Sequence, residues 1–163
     1  MHKLNELVTL RSMTAGEASD IAAGNRPRVG WADDFPGDGD IIAARYFRAT
    51  STALEPWRAS WMILVDGVAS GTIGFKGEPL MNELEVGYGV VPSQRQRGVA
   101  TTALAKLLTM VEGRGLSVRA ETSASNIASH SVLRHLSFEE VAHRDEAHEG
   151  PLIVWEWHEA PSA

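Results

Sequence analysis

The sequence predicts an α/β (α+β) chain: a mixed, mostly antiparallel sheet with helices on both faces, in one domain over residues 1–163. Three observations carry this. Short runs of alternating apolar residues recur along the chain, LEVGYGVV among them, and a period of two belongs to strands. Between them lie segments with apolar residues three and four apart, clearest in TTALAKLLTMVE, a helical spacing. Asp66-Gly67 joins two strand runs directly, a hairpin signal that makes those neighbours antiparallel.

The elements follow in order. LVTLR near the start reads as a short strand, and TAGEASDIAAG as a short helix with Gly24 near its end. RPRVGWADDFPGDGD is a loop. Its aspartates, Asp33, Asp34, Asp38 and Asp40, lack the ordered spacing of a calcium loop, so it reads as a solvated segment that caps the next helix, DIIAARYFRATS. WRASWMILVDG and SGTIGFKG form the hairpin, and ELEVGYGVV adds a strand. In GVATTALAKLLTMVEGRG, Ala100, Ala103, Leu104, Leu107, Leu108 and Val111 mark one buried helix face, ended by Gly113 or Gly115. LSVRAETS is a strand, and NIASHSVLRHL a helix capped by Asn126. FEEVAHR and PLIVWEWHE are the last strands.

Composition narrows the function classes. With 163 residues and 44% apolar content the chain can bury a proper core. The net charge of −6, without a basic tract, argues against nucleic acid as a partner. No apolar run is long enough to span a bilayer, and MHKLNELVTLRSMT lacks the apolar centre of a signal peptide; a soluble cytoplasmic protein, with no membrane partner, is expected. The absence of cysteine removes disulfides, thiolate metal sites and cysteine nucleophiles. The six histidines show no ligand spacing, so no metal site is expected.

Against that acidic background VVPSQRQRGVA, residues 90–100, is a basic, glycine-containing loop directly before the best helix. A helix N-terminus offers unpaired amides and a positive dipole end, which suit phosphate. Gly98 lets an anion approach without a side chain in the way, and Arg95 and Arg97 add forked donors. The loop reads as a pyrophosphate cradle, though neither a P-loop nor a Rossmann turn is present.

RQRGVA resembles the [QR]-x-x-G-x-[GA] signature of the GNAT superfamily of N-acetyltransferases, which bind acetyl-CoA. NIASHSVLRHLSF resembles the family's N-x-x-S-x-x-V-L-x-x-x-G-F, and ELEVGYGVVPSQRQRGVATTAL, LRSMTAGEASDI and FKGEP are similar to the RimJ/RimL-like branch, the ribosomal-protein N-terminal acetyltransferases. The resemblance implies a sheet of about seven strands in which strands 84–91 and 117–122 run parallel and splay apart. The pantetheine arm of acetyl-CoA would enter that gap beside Val90 and Val91, with an N–H near Val91 polarising the thioester carbonyl. The diphosphate would rest on the amides of Gln96, Arg97, Gly98, Val99 and Ala100. The implied reaction is acetyl transfer to a primary amine, on a protein N-terminus or a small molecule, by direct attack in a ternary complex; the resemblance also allows a homodimer.

Site roles follow from the same resemblance. Many members place a tyrosine seven residues after the capping asparagine; this chain has Leu133 there. Asn126 and Ser129 match the branch's cofactor-side pattern, and Ser129 is the implied hydrogen-bond donor to the CoA sulfur. Tyr88 is an alternative donor but shares a strand face with Leu84 and Val86, which favours packing. Glu85, on the face that carries Glu83, Gly87 and Gly89, leads the candidates for the base, followed by Glu121 and Glu83, with a water relay as another route. Ser137 replaces the usual glycine at a left-handed helix end, at a cost of ~1 kcal/mol. Two rival readings remain: a non-catalytic acyl-CoA-binding module, and a partner-binding protein whose Trp31, Trp57 and Trp61 form an interface.

Overall fold

The computed structural model describes residues 7–25, 29–46, 57 and 59–162. Its seven strands form one sheet in the order β1-β2-β3-β4-β5-β7-β6, antiparallel except for the β4–β5 pair. β1 (Val8–Ser12), β2 (Ser60–Val65), β3 (Val68–Phe75) and β4 (Glu83–Val90) make a meander. β5 (Ser117–Ser123), β7 (Gly150–Trp157) and β6 (Glu139–Glu146) complete it. The β2–β3 turn matches its sequence signal: Asp66 and Gly67 take φ of 49° and 82°, the left-handed pair that a two-residue hairpin requires.

Two cores lie on opposite faces of the sheet. On one face α3 (Val99–Thr109) and α4 (Ile127–His135) cover Leu84, Val86, Val118, Ala120 and Trp155. On the other, α1 (Ala15–Ala22) and α2 (Asp38–Tyr46) pack Ile21, Phe35 and Ala44 against Met62, Ala69 and Val91. The residues expected in the α2 helix beyond Tyr46 lie outside the described ones. α1 starts at a capping box, in which Thr14 accepts from the Glu17 amide and Glu17 from the Thr14 amide; two orphan amides are thereby satisfied.

Several details differ from the sequence expectation. α3 stops at Thr109, before Gly113 and Gly115, which curl the following turns at φ of 74° and 69°. Val99 rather than Ala100 opens its buried face. β7 is buried on both faces, because it lies between β5 and β6: Leu152 and Val154 are covered as well as Ile153 and Trp155. The described part of the aspartate-rich stretch expected as a solvated loop is not simply solvated, and its last three residues, from Asp38, already belong to α2. Asp40 is buried and accepts from the Gly37 amide (2.9 Å) and the Thr72 hydroxyl (2.7 Å). Trp57 and Trp61 pack against the larger core, and Trp31 sits edge-on to Phe35 at 4.9 Å, so these rings serve packing rather than a shared exposed patch. Ser137 is left-handed at φ 66°, as the helix end demands.

Candidate functional site

β4 and β5 pair only from Glu83–Ser117 to Glu85–Arg119, yet β4 runs on to Val90 and β5 to Ser123. Past that point each strand keeps its other partner, β3 or β7, so a gap opens in the middle of the sheet. Strand alternation decides which backbone groups line it. Lys76 N–H donates to the Glu85 carbonyl (2.7 Å) and Val91 N–H to the Ser70 carbonyl (2.9 Å), so the odd residues turn to β3. Tyr88 and Val90 therefore turn their amide and carbonyl toward the gap. This corrects the expectation for Val91, whose N–H is already committed and whose side chain is buried in the second core. Val90 keeps its place at the gap, where its carbonyl accepts from Arg95 Nε at 2.8 Å.

The loop between β4 and α3 leads into a helix start that no side chain caps. A 3-10 turn over Pro92–Gln94 is fastened to the α1–α2 connection by Asp34, which accepts from both the amide and the hydroxyl of Ser93 (2.9 and 2.7 Å). Gln96 and Gly98 are left-handed, at φ of 59° and 76°, and curl the chain around Arg97. Gly98 is the N-cap of α3, and no side chain caps that end. A Cβ built on Gly98 meets nothing within 4 Å. The first-turn amides of Val99 and Ala100 thus face open space at the positive end of the helix, which fits the diphosphate of acetyl-CoA. Arg97 donates to Gln94 Oε1 at 2.8 Å and is exposed beside the cradle.

At the other side of the gap, Asn126 caps α4 by accepting from the Ser129 amide at 3.2 Å. Ser129 is half-buried in that first turn. Leu133, at the family's tyrosine position, is fully buried in the larger core. Tyr88, expected to pack in preference to donating, lies near Ser129. Burial pushes its phenol up, and the Ser129 side chain is near enough to offset part of that push. The Tyr88 hydroxyl nevertheless forms no hydrogen bond of acceptable geometry, although it is buried. Alternation gives the face of Tyr88; nothing in the sequence signals that its hydroxyl is left unpartnered.

The acidic candidates lie on the opposite face. Glu83, Glu85, Arg119 and Glu121 line an open groove of ≈ 1330 Å³ with Lys76, Glu78, Arg144, Glu156 and Glu159. Glu85 holds Lys76 through one oxygen at 2.9 Å and retains the other. Both oxygens of Glu121 are occupied, one by Arg119 and one by Arg144 (2.9 Å). The structure therefore brings Ser129 and the 96–100 loop to the gap, puts Glu85 at its mouth, and ties Glu121 into an arginine network.

Similar folds are known. The ribosomal α-N-protein acetyltransferase RimL in complex with coenzyme A superposes with a TM-score of 0.67 at 16% identity, over 92% of this chain and 93% of that one. RimJ of Mycobacterium smegmatis, also solved with CoA, gives 0.65 at 18% identity over 94% and 82%. The yncA protein of Salmonella typhimurium, solved with acetyl-CoA, gives 0.62 at 18% over 96% and 98%. No curated protein matches the chain by sequence. A family model does: the acetyltransferase (GNAT) domain matches residues 8–139. That match runs from the first strand through both helices that border the gap, and the chain accordingly belongs to the GNAT acetyltransferases, N-acetyltransferases that use acetyl-CoA as acetyl donor.

Proposed function

We propose that the protein acetylates a primary amine on a cationic acceptor, a peptide N-terminus or a small amine, by direct attack in a ternary complex. The observation that carries this is the groove on the face opposite α3 and α4. It holds the carboxylates of Glu78, Glu83, Glu85, Glu121, Glu156 and Glu159 against the cations Lys76, Arg119 and Arg144. That excess attracts an ammonium ion and disfavours an anionic acceptor. The groove adjoins the strand gap at Glu85 and Arg119, so an amine in it approaches the thioester from the face not covered by α3 and α4.

The roles divide by face. The amides of Gln96 to Ala100, with Arg97, hold the diphosphate, and Val90 and Tyr88 offer backbone groups to the pantetheine arm. A gap-facing amide of β4, in place of the committed Val91 N–H, polarises the thioester carbonyl. Glu85, with one oxygen free of Lys76, takes the amine proton directly or through water. Ser129, with Asn126 fixing its turn, stabilises the departing thiolate. Without cysteine the chain forms no acyl-cysteine intermediate, so the amine attacks acetyl-CoA itself. The similarity to RimL, named for an α-N-protein activity, makes a protein N-terminus the first acceptor class to examine.

The test is thiol release from acetyl-CoA against peptides of matched length whose second and third residues are lysine, neutral or aspartate, alongside small diamines. The cysteine-free chain contributes no thiol background. Basic acceptors should show the highest kcat/KM. Faster acetylation of the acidic peptides would remove the groove from the argument, and CoA binding without release to any amine would favour a binding-only module.

A further inference from the structure

Two tight hairpins of the sheet are built from different residues. At the β2–β3 turn the left-handed pair is Asp66-Gly67, residues that accept this backbone readily. At the β3–β4 turn it is Met81-Asn82, at φ of 52° and 62°. Leu80 and Glu83 exchange both backbone hydrogen bonds (2.9 and 3.0 Å), and the Asn82 carbonyl accepts from the Ser117 amide at 2.9 Å, so the tip is fixed to β5. Asparagine tolerates the left-handed region, whereas methionine there is strained. The Met81 side chain does not offset that strain by packing: Met81 is 92% exposed, and Leu80 beside it 77%. A strained residue whose apolar side chain stays in water points to a partner for that side chain. Leu80 and Met81 both line the far end of the acidic groove, which runs past Glu83 to Glu85 at the mouth of the gap.

We propose that Leu80 and Met81 form an apolar subsite of the groove, which takes an apolar side chain of an extended peptide acceptor whose N-terminal amine lies at the gap. The proposal rests on the groove being the acceptor site, and it selects a peptide over a small amine. Strand rise sets the reach: from Met81 to Glu85 is four residues, or about 13 Å. An extended peptide has the same rise, so a side chain about five to seven residues from the amine comes level with the tip. A diamine falls short of it. The carboxylates of Glu83 and Glu85 lie between the tip and the gap, so the charged end of the acceptor is drawn inward and its apolar side chain is left at the tip. Methionine suits such a subsite, because its unbranched thioether adapts to side chains of different shape.

The test is thiol release from acetyl-CoA with lysine- and serine-containing peptides in which a single leucine is moved stepwise away from the amine. Leucine about five to seven residues from the amine should raise kcat/KM roughly 10-fold over the leucine-free peptide, through KM, as partial burial of one apolar side chain would. Met81→Asn should abolish that preference by raising KM, with kcat at saturating peptide retained. Its Tm should rise by about 2–4 °C, because asparagine relieves the strain. Stability and affinity then move in opposite directions, which a residue that only shapes the turn would not produce. Met81→Leu should keep the preference without the gain in Tm. A leucine scan without a maximum, a preference that survives in Met81→Asn, or a lower Tm in that variant overturns the subsite. Cationic peptides and diamines would in those cases still be acetylated, and the acceptor groove would stand. Thiol release from no amine at all overturns both the subsite and the proposed function.

Discussion

Replacing Gly98 by alanine separates the cradle from the fold. Gly98 sits at φ 76°, a left-handed conformation that costs an L-residue about 1–2 kcal/mol. The added Cβ clashes with nothing within 4 Å, so backbone strain is the whole stability cost. For a chain of this size each kcal/mol corresponds to roughly 2–4 °C, and Tm should fall by about 2–8 °C. Gly67 provides the control: it lies in the β2–β3 turn at φ 82°, with nothing within 4 Å of its Cβ position. Gly67→Ala should lose the same stability. Only Gly98→Ala places a methyl beside the α3 amides proposed to hold the diphosphate. A hydrogen bond to a charged group contributes about 1.5–3 kcal/mol. Losing one raises the CoA Kd by roughly 10- to 100-fold. Calorimetric titration with CoA, after thermal denaturation of both variants, gives the two numbers. If Gly98→Ala destabilises like Gly67→Ala and still binds CoA as the parent does, the diphosphate does not rest on this loop.

Other outcomes follow from the same geometry. Ser129→Ala should lower kcat and kcat/KM together by roughly 10- to 1,000-fold with CoA affinity nearly unchanged, since its hydrogen bond strengthens only as thiolate charge develops; unchanged turnover would make it merely a first-turn residue. Leu133→Tyr should not restore the family's proton donor, because Leu133 is fully buried; overpacking should cost about 1–3 kcal/mol in denaturant unfolding, with no gain in kcat. Two carboxylates should contribute to pH-dependent stability with opposite signs. Burial raises the Asp40 carboxyl, against the Thr72 and Gly37 hydrogen bonds and the Arg95 charge, so its contribution falls as pH rises from its unfolded to its folded pKa. Burial alone would raise Glu17 too, but the hydrogen bond from Arg11, with those from Thr14, outweighs it. Its stabilisation is full above the unfolded carboxyl range and is lost as pH falls through the lowered folded pKa. Urea unfolding across roughly pH 3–7 should show Glu17→Gln flattening the acid fall and Asp40→Asn removing the opposing slope; the reverse pattern would contradict both assignments.

Much of the architecture was legible because its signals are local. A period of two or of 3.6 is set by backbone geometry, so each strand and helix announces itself within a few residues. Asp66-Gly67, Asn126 and Gly98 act at turns and caps, where the chain's own next residues are the partners. The 96–100 loop was readable as an open helix start for that reason: its features are consecutive residues ahead of one helix.

What the tertiary structure decided involves partners far away in sequence. Alternation assigns Glu85 and Glu121 to one face, but only the sheet order brings Arg144 to Glu121 and Lys76 to Glu85. The same holds for Asp40, buried under Thr72 32 residues away, and for Asp34, which anchors Ser93 across 59. Val91 loses its donor to Ser70 because β4 pairs with β3 in one register, a choice that a single-residue slip would reverse. Tyr88 shows the limit most clearly. Its position on the strand fixes the face its ring occupies. Whether its hydroxyl finds a partner depends on where α4 places Ser129, and that is set by the packing of the helix on the sheet.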